Sequence, residues 1–258
     1  MTVSDDGYVL HTRPFQDNKA IAIVFTKQQG LQRIVFQTSK NSKKQPSFRH
    51  FLQPFQSLWL TWKGNGELKT GKAVELSGLR YSLLGKLLYC GLYLNELLIR
   101  LLPAEEASPQ LFNCYQQALT LLQQDPQQTE VYLRQFEFSL LAELGYAVSF
   151  EHDVNGNDIS STASYAFLPD QGFCIQEQYL HSKRADIYLF SGTDLLTLAS
   201  LPWLNGYGDI QSSSDQLDIP QAWTKPLKVT AKRIARMALA LHLGGKPLMS
   251  RMLFSKQK

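Results

Sequence analysis

The chain has little of what several large function classes require. It holds three cysteines, Cys90, Cys114 and Cys174, odd in number and far apart. That excludes a disulfide framework and a paired-cysteine zinc module, and leaves them as small buried apolar residues. No apolar run approaches the roughly 18 residues that cross a bilayer. The N-terminus, MTVSDDGYVL, carries aspartates where a secretory signal needs bases, and it has no apolar h-region. A cytoplasmic protein is expected. There is no GxSxG, no GxxxxGK[ST] and no strand-linked GxGxxG, and His11, His50, His152, His181 and His242 fall at no metal-binding spacing. No catalytic residue, metal or cofactor is therefore expected, and the chain reads as a non-enzyme.

Charge is present, but it is segregated. Residues 1–80 hold twelve Lys+Arg against five Asp+Glu, and residues 81–150 hold three against seven. Residues 151–224 hold two against ten, and residues 225–258 hold nine against none. Two basic ends thus flank an acidic middle. Such a field is an argument about partners, and a polyanion suits it if the ends converge in space.

The chain changes periodicity three times. Over residues 1–80, GYVLHTRPF, KAIAIVFTKQQG, LQRIVFQTS, FQSLWLTWKGNG and ELKTGKAVEL mix β-branched and aromatic residues with polar ones, and turn signals separate them. In LWLTW, Leu58, Leu60 and Trp62 share one face while Trp59 and Thr61 share the other. Five strands in so short a span predict an OB-fold, a small five-stranded barrel. Residues 38–50 form a long polar loop. Residues 81–150 predict a helical bundle. Its first helix gathers Leu84, Leu87, Leu88, Leu92, Leu94, Leu97, Leu98 and Leu101 and ends at Pro103. A second is capped by Ser108 with Pro109 at its first position. A third runs from Thr129, as N-cap, to Gly145. Residues 151–224 read as a zinc-free irregular and β insertion with a short helix. YAFL and GFCIQ are strands on either side of Pro169-Asp170, and SGTDLLTLASL is a helix capped by Ser191 or Thr193. Residues 225–258 give a basic helix, closed by Gly244-Gly245, and a tail packed on the helical domain. The fold class is α+β: an N-terminal OB barrel, then a mainly helical domain with the small insertion.

Two surfaces carry candidate chemistry. On the last helix, Lys228, Lys232 and Arg236 line one flank beside Arg233, and Lys246 and Arg251 follow. Ile234, Met237, Ala238 and Leu241 form the stripe expected to dock on the body. The helix dipole accounts for bases only in a last turn, not for nine spread over more than thirty residues. On the barrel, Lys40, Lys43, Lys44 and Arg49 of the long loop, with Arg13, Lys19 and Arg33 on strands, are candidate phosphate contacts. Phe15, Phe48 and Trp59 are candidate stacking platforms. OB-folds hold single strands by such a combination, with little regard to base sequence. An OB-type RNA-binding module is a rival reading. A metal-dependent nuclease built on Glu96, Glu137 and Glu143 is another, though capping or ion pairing suits those glutamates better.

Five ordered stretches resemble the RecO family of recombination mediators: GYVLHTRPF (7–15), Gln53-Pro54-Phe55, GLYLNELLIRLL (91–102), LRQFEFSLLAELGY (133–146) and LGGKPLMSRMLF (243–254). The resemblance spans nearly the whole chain. It implies a protein of DNA repair and recombination that binds single- and double-stranded DNA and anneals complementary strands. It implies binding to the acidic C-terminal tail of single-strand-binding protein and, with RecR, help in loading RecA, in a nucleoid-associated setting. It carries Arg134, in L-R-x-F-E, over as the arginine that meets the tail's carboxylate, which suits a planar, bidentate guanidinium. Some relatives carry a four-cysteine zinc module after the G-Y helix. Residues 151–181 hold only Cys174, so this chain resembles the zinc-lacking branch.

Overall fold

The computed structural model describes residues 1–39, 47–179, 188–201 and 223–255. They form two compact units, residues 1–129 with 247–258, and residues 130–246.

In the first unit, β1 (Thr2–Phe15), β2 (Lys19–Thr26), β3 (Gly30–Gln37), β4 (Gln56–Lys63) and β5 (Leu68–Arg80) close into a barrel in the order β1-β2-β3-β5-β4. All neighbours are antiparallel except β3 and β5. The alternation in LWLTW sets the wall: Leu58, Leu60 and Trp62 are sealed in the core, while Trp59 is 42% exposed. Gly71 lies beside the core ring of Phe36, and a Cβ there would come within 2.2 Å of it. Asp5 Oδ2 accepts the backbone N–H groups of Gln28 and Gln29, fixing the β2–β3 turn. Gly30 ends that turn at φ +66, and a side chain there would meet the carbonyl of Glu106 at 2.0 Å. Gly30 therefore lets the connection after the first helix pass close over the barrel.

That helix, α1 (Lys86–Leu101), and α2 (Pro109–Gln124) cover one side of the barrel. α1 starts later than its leucine periodicity predicts. Gly85 has φ +55, and Leu84 stands 77% exposed outside the helix. α2 docks through aromatic edges, with Phe112 and Tyr115 packed on Tyr8 and Phe25. A bulge in β1 between Val9 and His11 takes Leu10 out of the ladder. Its carbonyl accepts from buried Asn95 Nδ2 of α1 at 3.0 Å, and Asn95 Oδ1 accepts from Tyr115 Oη at 2.6 Å. One amide thus joins the barrel, α1 and α2.

A short helix, α7 (Met249–Ser255), returns to α1. The Glu96 carboxylate accepts from the N–H groups of Met249 and Ser250, both at 2.8 Å, and from Ser250 Oγ at 2.6 Å. Arg100 Nη1 donates to the Pro247 carbonyl at 3.2 Å. Glu96 thus has the capping role expected of it, at the first turn of a helix 154 positions away. Glu96→Ala is expected to release α7 at a cost of about 1–2 kcal/mol. Faster amide exchange confined to 248–253, with the barrel unchanged, checks this.

The second unit holds α3 (Thr129–Glu143, its first residue contributed from the first unit) and a sheet of β6 (Ser164–Leu168), β7 (Gly172–Ile175) and β8 (Leu189–Ser191) in the order β7-β6-β8. α4 (Gln176–Tyr179), α5 (Gly192–Ala199) and α6 (Lys225–His242) complete it. The hairpin around Pro169-Asp170 forms as the sequence indicates. Ser108, with Pro109 at the first helical position, and Ser191 stand at the N-cap positions of α2 and α5, though neither side chain makes a cap bond, and the Thr129 cap is corrected: Thr129 lies inside α3 and its hydroxyl donates to the Pro126 carbonyl. Gly145, at φ +83, does end the third helix, and Gly244 and Gly245, at φ +62 and +72, end α6. All three cysteines are buried and unpaired with one another.

After α3 the chain turns on Asp153. Slight burial alone would raise its pKa, but N–H groups of Asn157 and Asn155 donate to its carboxylate and hold it below the usual range. A depressed folded pKa contributes stability above the unfolded value, and that stability is lost as pH falls through the folded one. Asp153→Asn is expected to flatten the acid limb of the stability–pH curve below about pH 4, measured by urea unfolding.

Candidate nucleic-acid interface

The register of the barrel builds one groove. Lys19 lies opposite Phe15 on β1 and opposite Gln37 on β3, and Val35 lies opposite Thr70 on β5. These residues, with Phe48, Leu68, Lys69, Gly71 and Lys72, line a groove of about 560 Å³. It sits between the β1–β2 turn and the start of β5, the part of an OB barrel whose turns and strands take up oligonucleotides. Lys19 is exposed and donates to Gln16 Oε1 at 3.1 Å. Lys72 is exposed, and among the described residues no carboxylate pairs with it. Lys69 is buried and bonded to Glu105, so its charge is already met within the fold. Lys69 and Lys72 were not among the candidates from sequence.

The other barrel candidates scatter. Arg13 and Arg49 are exposed. Arg33 is exposed but paired with Glu67, an ion pair of the kind that contributes little. Lys40, Lys43 and Lys44 lie outside the described residues. The described residues on either side of them meet beside the groove, where Phe48 N donates to the Gln37 carbonyl at 2.8 Å and Ser47 Oγ to the Thr38 carbonyl at 2.7 Å. Of the three aromatics, Phe15 lines the groove. Phe48 is a core residue, 7% exposed, packed edge-on against Phe36 at 5.7 Å. An apolar anchor there holds the root of a long polar loop on the barrel. Trp59 is exposed, but Asp6 and Glu75 lie directly opposite it on the neighbouring strands, and carboxylates on both sides disfavour a phosphate chain.

In the second unit, α6 presents a basic face. Its buried row is Leu227, Ala231, Ile234, Ala235, Ala238 and Leu239. The predicted stripe is corrected by a rotation: Ile234 and Ala238 are in it, Met237 is half-buried, and Leu241 is 50% exposed. Arg233 and Arg236 are exposed, and Lys228 and Lys232 half-buried. Lys232 Nζ reaches Glu130 at 3.1 Å, Thr230 Oγ1 donates to Asp194 at 2.9 Å, and His242 meets Asp170 at 3.5 Å. Asp170 and Asp194 belong to the acidic block, so part of that block seats the basic helix. Lys246 is exposed beyond the glycine pair. Arg251, in the first unit, lies over the Tyr93 ring at 5.3 Å and donates to its hydroxyl at 3.2 Å. Arg134 is buried, and its guanidinium is bonded to Glu137 one turn along α3. The group expected to meet a partner's carboxylate meets one of its own helix.

Residues 1–80 match the family described as Recombination protein O N terminal, and residues 85–252 match Recombination protein O C terminal. The chain belongs to the RecO family. DNA repair protein RecO of Pseudomonas paraeruginosa is 38% identical over 251 residues, covering 97% of this chain and 94% of that one. RecO of Pseudomonas putida strain KT2440 is 37% identical over 258 residues, covering 99% and 98%. RecO of Yersinia pestis is 36% identical over 249 residues, covering 96% and 92%. As a RecO the chain is a DNA repair and recombination protein. The stretches that carried the resemblance prove to be joints of the fold. In GLYLNEL, Tyr93 holds Arg251, Asn95 holds the barrel, and Glu96 holds Ser250 of LGGKPLMSR. Among the described residues no three metal-ligating side chains gather, and no helix is long and apolar enough to cross a membrane.

Proposed function

We propose that this RecO acts as a mediator without bond chemistry, holding single- and double-stranded DNA on the barrel groove and on the basic face of α6, and annealing complementary strands. The observation that carries the reading is the groove, where Lys19, Lys72 and Phe15 combine backbone charge with a stacking ring on the ligand-taking face of an OB barrel. Strands repel each other, and a cationic surface for each removes the repulsion while raising their effective concentration. Arg13, Arg33, Arg49, Lys228, Lys232, Arg236, Lys246 and Arg251 supply further phosphate contacts in the same proposal, and Arg233 a further DNA contact. The tail of single-strand-binding protein delivers the mediator to coated DNA, its carboxylate competing with Glu137 for Arg134. RecR is the second partner, and RecA is loaded through it. A fluorescence annealing assay with complementary oligonucleotides, bare and coated with single-strand-binding protein, tests this. Acceleration of both that fades with salt is expected. No acceleration at low salt would refute it.

A further inference from the structure

On the second unit an aromatic ring and a guanidinium are already stacked at the surface. Arg233 Cζ lies 3.5 Å from the centroid of the Tyr188 ring. Tyr188 immediately precedes β8 and is 43% exposed, its ring held edge-on by buried Phe190 at 4.9 Å. One turn before Arg233 on α6, Val229 is 50% exposed, and Arg236 is exposed one turn after it. Among the described residues no carboxylate or carbonyl occupies the N–H groups of Arg233. Nothing in the packing of α6 requires this pair, because the helix is seated by its apolar row and by Thr230 and Lys232. The guanidinium over the ring thus belongs to an exposed residue, with the apolar Val229 a turn before it and the charge of Arg236 a turn after. Arginine planes and aromatic rings are the surfaces on which unpaired bases stack, and a base in a duplex has no face to offer them.

Resting on the proposal that α6 binds DNA, we infer that Tyr188 and Arg233 form a stacking step for an unpaired base, so that α6 distinguishes single strands from duplex. Tyr188 positions the guanidinium, and Arg233 receives the base. The test uses the full chain with Phe15→Ala/Lys19→Ala/Lys72→Ala, which removes the groove's stacking ring and its two lysines so that residual binding reports on α6, and probes of oligo-dT, an abasic strand of equal length, and duplex. With Tyr188 in place, oligo-dT binds about tenfold more tightly than the abasic strand, the contribution of one stacked base. Tyr188→Leu and Arg233→Lys each abolish that difference without changing the salt slope, since no phosphate contact is lost, and Tyr188→Phe retains it. An unchanged preference in Tyr188→Leu, or equal binding of both strands before substitution, overturns the inference while leaving α6 a DNA site. No residual binding, or residual binding indifferent to Lys228→Ala/Arg236→Ala, overturns the assignment of α6 to DNA and the inference with it.

Discussion

Glu137→Ala is expected to destabilise the second unit by about 3–5 kcal/mol, the range for removing one partner of a buried ion pair. Arg134 and Glu137 have side chains only 6% and 0% exposed, and they face each other across one turn of α3. Truncating the glutamate leaves a guanidinium that cannot lose its proton in a site almost closed to water. A shift of several degrees in the melting temperature, with the β6–β8 sheet and α6 losing amide protection together, checks the effect. A change under about 1 kcal/mol would mean the pair opens to solvent readily. Glu137→Gln keeps the volume and a hydrogen-bonding oxygen, and it separates structure from recognition. If a partner tail competes for Arg134, its C-terminal peptide binds this variant more tightly. Unchanged peptide affinity would make Arg134 a structural residue alone.

The second large effect concerns the groove. Lys19→Ala/Lys72→Ala is expected to weaken binding of a short single strand by about tenfold or more at low salt. The slope of log affinity against log salt should become shallower by about 1.4, the value for two lost phosphate contacts on a single strand. Both lysines are exposed, so the fold should not move. Lys69→Ala makes the contrast. That lysine is buried against Glu105, and its loss should cost stability with a smaller change in salt slope. Polarisation titrations across a salt series measure both. An unaltered slope in the double variant would take the groove out of the DNA site.

How much of this was legible in advance depends on the range of the interaction. The five strands were readable because alternation along a strand is local: Leu58, Leu60 and Trp62 share a face in any barrel. The hairpin at Pro169-Asp170 and the glycine stops were readable for the same reason, since turn conformation is set within a few residues. The groove was only half legible. Lys19 and Phe15 were named for charge and ring, whereas Lys72 joins them through a parallel pairing of β3 with β5 that no local pattern announces. Phe48 and Trp59 looked alike on paper. The fold buried one to anchor a loop and set the other between carboxylates.

By itself the sequence determined the α+β class, the barrel, the family and the charge segregation, all of which follow from periodicity, composition and ordered short stretches. Only the tertiary structure decided what the recognisable stretches do. Glu96 caps a helix that begins far along the chain, Asn95 satisfies a carbonyl freed by the bulge at Leu10, and Arg134 turns inward to Glu137. It also turned α6 so that Leu241 is exposed while Leu227 and Leu239 are buried. The reason is physical. A residue's preference for burial or charge is written locally, but the group that satisfies a buried amide or carboxylate is chosen by packing between segments distant in sequence.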